Sequence, residues 1–145
     1  MTKENGLKLE NQICFPLYVA SKEVIRKYRP YLDALGLTYT QYIALMVLWE
    51  EKRINVKDLG SKLYLDSGTL TPLLKSLEGK GYIKRTRLKE DERVVMAELT
   101  KKGERLKEKA ADIPGKVAGS IKLGSREALE LYRLLYKVID VIKEK

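Results

Sequence analysis

Apolar side chains recur along most of this chain at intervals of three and four, the spacing that gathers them on one helical face. Between residues 13 and 35 they fall at Cys14, Leu17, Tyr18, Val24, Ile25, Tyr28, Leu32 and Leu35. Pro16 sets the regular start of this helix close to Cys14, because proline is tolerated only near the first turn. Pro30 is expected to stop or kink it, with a short helix then running from Pro30 to Gly36. Thr38-Tyr39-Thr40-Gln41 has the capping-box pattern and opens the mostly apolar helix YTQYIALMVLWEE, which should lie in the core. INVKDLGSKLYL predicts the next helix, capped by Asn55, with Val56, Leu59 and Leu63 facing inward. DSGTLTPLLKSLEGKGY predicts another, with Leu70, Leu73, Leu74 and Leu77 at i, i+3, i+4 and i+7, ended by Gly79 and Gly81.

After these helices the period changes from helical to extended. YIKRTR and VVMAELT flank the charged tip LKEDER and read as a β-hairpin. Thr100 can cap a helix over about 101–112. Pro114, Gly115, Gly119 and Gly124 are expected to break the chain before a last helix from about Ser125. That helix carries Leu129, Tyr132, Leu135, Tyr136, Ile139 and Ile142 as one stripe. The fold class is therefore mainly α with a small β-hairpin wing, the winged helix-turn-helix plan. The expected division is a reading lobe at 37–100 and a helical dimerisation module from 1–36 and 101–145, because apolar stripes at both ends need cover and a second copy of the chain supplies it.

Composition narrows the function. The 145 residues hold 29 Lys and Arg against 20 Asp and Glu, a net charge of +9. Such a field favours a polyanionic partner, double-stranded DNA before an anionic membrane surface. No apolar run approaches the ~20 residues of a membrane span, so a cytoplasmic protein with no membrane partner is expected. Histidine is absent and cysteine occurs once. Ser-His-Asp and Cys-His catalysis and imidazole-based zinc sites are thereby excluded, and no Gly-rich phosphate loop appears. No enzyme, cofactor or metal is expected.

In a helix-turn-helix the second helix enters the major groove. With its leucines buried, that helix presents Ser67, Thr69, Thr71, Lys75 and Ser76 outward, short hydrogen-bonding groups and one cation suited to phosphates and base edges. Pro72 fits if the cap lies near Thr69, where freed N–H groups can meet a phosphate. The wing supplies Lys84, Arg85, Arg87, Lys89 and Arg93. An arginine at the tip can enter a narrow minor groove, with Asp91 bracing its guanidinium. Cys14 by itself has two readings, a small core hydrophobe or a reactive thiol.

LENQICF at 9–15, GLTYTQYIALMVLWE at 36–50, LYLDSGTLTPLLKSLE at 63–78 and KEDERVV at 89–95 resemble the MarR family of winged-helix regulators, in particular its organic-hydroperoxide-sensing OhrR group. The likeness spans about residues 9–113 and is weak over the last 30. It implies a homodimeric repressor on an inverted-repeat operator. It makes Cys14 the redox-sensing residue, Tyr28 and Tyr39 donors to its sulfur, Tyr18 a further aromatic of that pocket, and Arg93 the minor-groove arginine. With no second cysteine, it implies a mixed disulfide with a small thiol. Two residues 14 apart on a straight helix stand about 21 Å apart, so Tyr28 could reach Cys14 only from a partner subunit. Rival readings are a MarR regulator answering a phenolic or drug-like ligand, a broader one-cysteine virulence or resistance regulator, and a winged-helix RNA or protein adaptor.

Overall fold

The structure is a computed structural model and describes residues 2–143. Two compact units divide it, one ending at Ile113 and the other beginning at Pro114.

The first unit opens with a short helix α1 (Lys3–Gly6), a 3₁₀ turn at Leu9–Asn11 and the long helix α2 (Cys14–Leu35). Helix α2 starts at Cys14, with Pro16 in its first turn, and ends on Gly36 in the left-handed region at φ 68°. Pro30 does not divide it, contrary to the sequence expectation. Proline removes only the donor that would have met the Arg26 carbonyl, and both residues face solvent, where water can replace the bond. Buried Leu32 just beyond the proline, and the Tyr28 ring just before it, laid against Tyr39 and Tyr42 of the next helix, hold the last turns in line.

Helix α3 (Tyr39–Glu51) begins with the full capping box, Thr38 accepting from Gln41 N while the Gln41 side chain accepts from Thr38 N. It carries the centre of the core, with Ala44, Leu45 and Leu48 fully buried. Asn55 caps α4 (Val56–Leu63), whose Leu59 is buried while Val56 and Leu63 are half-buried. In α5 (Ser67–Gly79) the leucines Leu70, Leu73, Leu74 and Leu77 all point into the core. Here the cap is Asp66, not Thr69, so Pro72 lies inside the helix. The explanation matches that for Pro30: Pro72 and Gly68, whose carbonyl loses its donor, are both exposed, and the buried leucines lie on the other side.

The sheet has three strands rather than the two of a simple hairpin. Strands β2 (Ile83–Arg87) and β3 (Val95–Leu99) pair antiparallel with Arg85 opposite Ala97, and β1 (Arg53–Asn55) pairs with the other edge of β3, Ile54 opposite Ala97. A three-residue strand is too short to show alternation, which is why the sequence pattern hides it. Thr100 caps α6 (Lys101–Ala110). Its Gly103 lies so close to the Tyr82 carbonyl that an added Cβ would sit 2.2 Å from that oxygen. Beside it, the Trp49 indole N–H donates to the Gly103 carbonyl at 2.8 Å.

From the last residue of the first unit onward, the structure corrects the sequence reading in one place. Ile113–Ile121 is helix α7 and not a broken stretch. Pro114 falls in its first turn, where a missing N–H costs nothing. The two glycines cost roughly 1 kcal/mol each relative to alanine, and burial of Ile113 and Val117, one turn apart, opposes that cost. Helix α8 (Ser125–Lys143) follows and buries none of its residues. Its exposed apolar side chains include Leu129, Tyr132, Tyr136 and Ile142 of the expected stripe and also Leu131, Leu134, Val138 and Val141. No helix among the described residues is long and apolar enough to cross a membrane.

Candidate nucleic-acid interface and thiol site

Helix α5 meets solvent along the face opposite its leucines. Ser67, Thr69, Thr71 and Lys75 are exposed there. Ser76 is half-buried, and its hydroxyl accepts a hydrogen bond from Gln41 Nε2 at 3.0 Å. The Asp66 carboxylate takes the Thr69 backbone N–H at 2.8 Å, so this donor is occupied by the chain itself rather than left for a phosphate. Bonds from the Thr69 N–H and then the Thr69 side chain hold the Asp66 carboxyl below its ordinary range. The signal for this cap was present in the sequence as Asp-Ser-Gly-Thr, an N-cap residue three before a residue with a free N–H.

The wing is ordered by its own hydrogen bonds. Asp91 accepts from Arg93 three times, at the backbone N (3.1 Å), Nε (3.0 Å) and Nη2 (3.2 Å). The Arg93 side chain nevertheless stays 90% exposed. These bonds, those from the side chain first, hold the Asp91 carboxyl low. Arg87 donates to the Glu92 carbonyl at 2.7 Å and so spans the tip. Arg85 turns the other way, giving its backbone N–H, Nε and Nη2 to Glu78 at the end of α5. Lys84 and Lys89 are exposed.

Cys14 is exposed at the first position of α2, and Tyr18, one turn on, is exposed beneath the Lys22 ammonium. Tyr28 stands fourteen residues along the same unbroken helix, about 21 Å away, and its ring packs on Tyr39 at 5.1 Å and Tyr42 at 5.8 Å between centroids. Burial, and next the neighbouring Tyr28 phenol, push the Tyr39 hydroxyl above its usual pKa. The same causes act on Tyr42, with Tyr39 adding to them. These phenols therefore keep their protons, and remain donors, throughout the neutral range. One chain thus gathers Tyr28 with Tyr39 and leaves Cys14 and Tyr18 at the far end. Tyr42 and Glu78 were not singled out from the sequence, and Gln41 only as a capping residue: Tyr42 is hidden in an apolar run, Glu78 acts across a turn, and the Gln41 bond to Ser76 crosses between helices.

A helix-turn-helix with its reading face open, followed by an antiparallel wing with an arginine at its tip, defines a winged-helix transcriptional regulator. Residues 21–110 match the transcriptional regulator SarA/Rot family, and the chain belongs to it. It is 48% identical over 143 residues to the organic hydroperoxide resistance transcriptional regulator of Bacillus subtilis (strain 168), covering 99% of this chain and 97% of that one. It is 47% identical over 132 residues to the HTH-type transcriptional regulator SarZ of Staphylococcus aureus (strain USA300), covering 91% and 89%. The structure of reduced AbfR bound to DNA, a protein of Staphylococcus epidermidis, superposes with a TM-score of 0.79 at 33% identity, covering 99% of this chain and 100% of that one. The likeness to hydroperoxide-responsive MarR-type regulators therefore holds over the whole chain, including the last 30 residues where the motifs are weak. The protein is a transcriptional regulator and not an enzyme.

Proposed function

We propose that the protein is a redox-responsive repressor that binds an inverted-repeat DNA operator as a homodimer and releases it when Cys14 is oxidised. The carrying observation is the separation of Cys14 from the tyrosine cluster along one unbroken helix. The Tyr28 and Tyr39 O–H donors can meet that sulfur only if a second copy brings them to the first turn of α2, so the sensor would be completed by dimerisation. Exposed Ile13, Phe15, Leu17 and Tyr18 around Cys14, and separately the apolar residues of α8, give such a copy something to cover. In this reading residues 1–36 and 101–145 form the dimer and 37–100 read DNA. Ser67, Thr69, Thr71 and Lys75 meet the major groove, and Lys89 and Arg93 meet the backbone and minor groove. The name of the Bacillus relative supports a hydroperoxide signal, and the DNA-bound AbfR supports the partner.

The chemistry balances without histidine. The thiolate sulfur attacks one peroxide oxygen, the S–O bond forms as O–O breaks, and the organic hydroperoxide leaves as its alcohol. The resulting sulfenic acid is then attacked by a small thiol, which forms a disulfide and expels water. The adduct's bulk would separate sulfur from phenols across the dimer and let the reading lobes rotate off the operator. The test uses a duplex selected from a random library by the reduced protein. Wild type treated with cumene hydroperoxide and free cysteine should gain one cysteine by intact mass and lose the duplex. Cys14→Ser should bind and keep it. Release from Cys14→Ser under the same treatment would eliminate Cys14 as the sensor.

A further inference from the structure

Gln41 carries a polar side chain buried in the core, at 6% exposure. It occupies the first turn of α3, flanked by Tyr39 and Tyr42 of the aromatic cluster. Its Oε1 accepts from Thr38 N at 3.1 Å and from Lys80 Nζ at 3.1 Å, and its Nε2 donates to Ser76 Oγ at 3.0 Å. The Lys80 ammonium also donates to the Gly36 carbonyl, at the end of the helix that begins with Cys14. Ser76 and Lys80 belong to the reading helix α5 and its C-terminal cap. One amide and one ammonium therefore join the end of α2, the start of α3 and the far end of α5, bypassing α4 altogether.

We infer that Gln41 and Lys80 are positioning residues, a hydrogen-bonded strut that passes a displacement of the tyrosine cluster on to the reading helix. The inference rests on the function proposed above. The four leucines, with the bonds from Arg85 to Glu78, seat α5 in the reduced protein, but none of them ties it by a directional bond to the first turn of α3. Hydrogen bonds to a buried amide are directional, and leaving such a group unpaired costs more than the bond itself is worth. When Tyr39 moves, Gln41 moves with it on the same helical turn. Ser76 must then follow, or the amide is stranded. The strut therefore converts a shift at the phenols into a shift of the groove-reading surface.

The test compares operator affinity before and after oxidation, with the selected duplex described above, in wild type, Gln41→Met, Lys80→Met and Gln41→Glu. The leucines and the Glu78–Arg85 bonds keep α5 in place in the reduced protein, so the reduced variants should bind within about threefold of wild type. Oxidation should weaken wild type by about 30-fold or more, within the usual range of allosteric coupling. Gln41→Met and Lys80→Met should respond less than about fivefold, since each removes the link between α3 and α5. Gln41→Glu should restore the response, because its carboxylate can accept from Thr38 N, Lys80 and the Ser76 hydroxyl at once. Lys80→Met leaves the capping box intact, so it decides the matter should Gln41→Met fail to fold. Variants that release DNA as fully as wild type overturn the strut and leave the sensor reading standing. A wild type that does not release overturns the sensor reading itself.

Discussion

Glu78 closes the reading helix by gripping Arg85, and the grip has a pH signature. Its carboxylate receives the Arg85 backbone N–H and two guanidinium N–H groups, and these bonds, the backbone one first, hold Glu78 below its ordinary value of 4.5. A carboxyl with a depressed folded-state pKa contributes stability that is fully present above the unfolded value and is lost as pH falls through the folded one. The window therefore opens near pH 4.5 and extends downward, and Asp66 and Asp91, also depressed, contribute across neighbouring acid pH. Glu78→Gln keeps the shape and loses the charge, so its Tm should fall less than that of wild type across this range. Melting curves followed by circular dichroism check this, and parallel pH profiles would show that the pair contributes nothing. Because Arg85 is committed to Glu78, the wing's outward charge is smaller than a count of its arginines suggests. A count along the sequence cannot separate Arg85 from Arg93, since the distinction lies in which carboxylate each one meets.

Helix α6 shows where packing overrules propensity. Alanine is a better helix former than glycine by about 0.5–1 kcal/mol, so Gly103→Ala would be a gain on an isolated helix. Here the new Cβ would lie 2.2 Å from the Tyr82 carbonyl oxygen and 2.8 Å from Leu99 Cδ1. The first is backbone and cannot rotate aside, and forced overpacking costs about 1–3 kcal/mol. Gly103→Ala should therefore lower the urea midpoint by an amount worth about 1–2 kcal/mol net. It should also disturb the emission of Trp49, the only tryptophan, whose indole N–H bonds the Gly103 carbonyl. An unchanged midpoint would show that α6 can move away freely. The same contest explains which elements were legible beforehand. Caps announce α3 and α4, and leucine spacing announces α5, because those signals are local and few alternatives satisfy them. Pro30, Pro72 and the glycines of α7 are local signals too, but tertiary packing outweighs them and the helices continue. The Gln41–Ser76 bond spans 35 positions and the Cys14–Tyr28 separation depends on a helix staying straight. Neither is a property of any short window.

The dimer proposed above would carry +18, twice the +9 of one chain, and its two lobes would make separable contributions to the salt dependence of binding. Each phosphate neutralised by a cation releases condensed counterions, so log affinity falls with log salt by about 0.9 per contact on duplex DNA. Lys75 faces outward from α5, clear of the leucine core. If it meets one phosphate in each half-site, Lys75→Ala removes two contacts from a bound dimer and should flatten the salt slope by about 1.8. A single engaged lobe would lose only about 0.9, and an uninvolved lysine would leave the slope as it was. Lys84→Ala and Lys89→Ala, substituted in the same way, map the contacts of the wing. Anisotropy titrations over a range of potassium chloride, on the selected duplex and on one carrying a single half-site, separate these cases. On the half-site duplex the Lys75→Ala change should shrink to the single-lobe value, because the second lobe then has no backbone of its own to hold. A change that is equal on both duplexes would mean that one copy reads the DNA alone, and the two-copy arrangement proposed for the sensor would then have no role in binding.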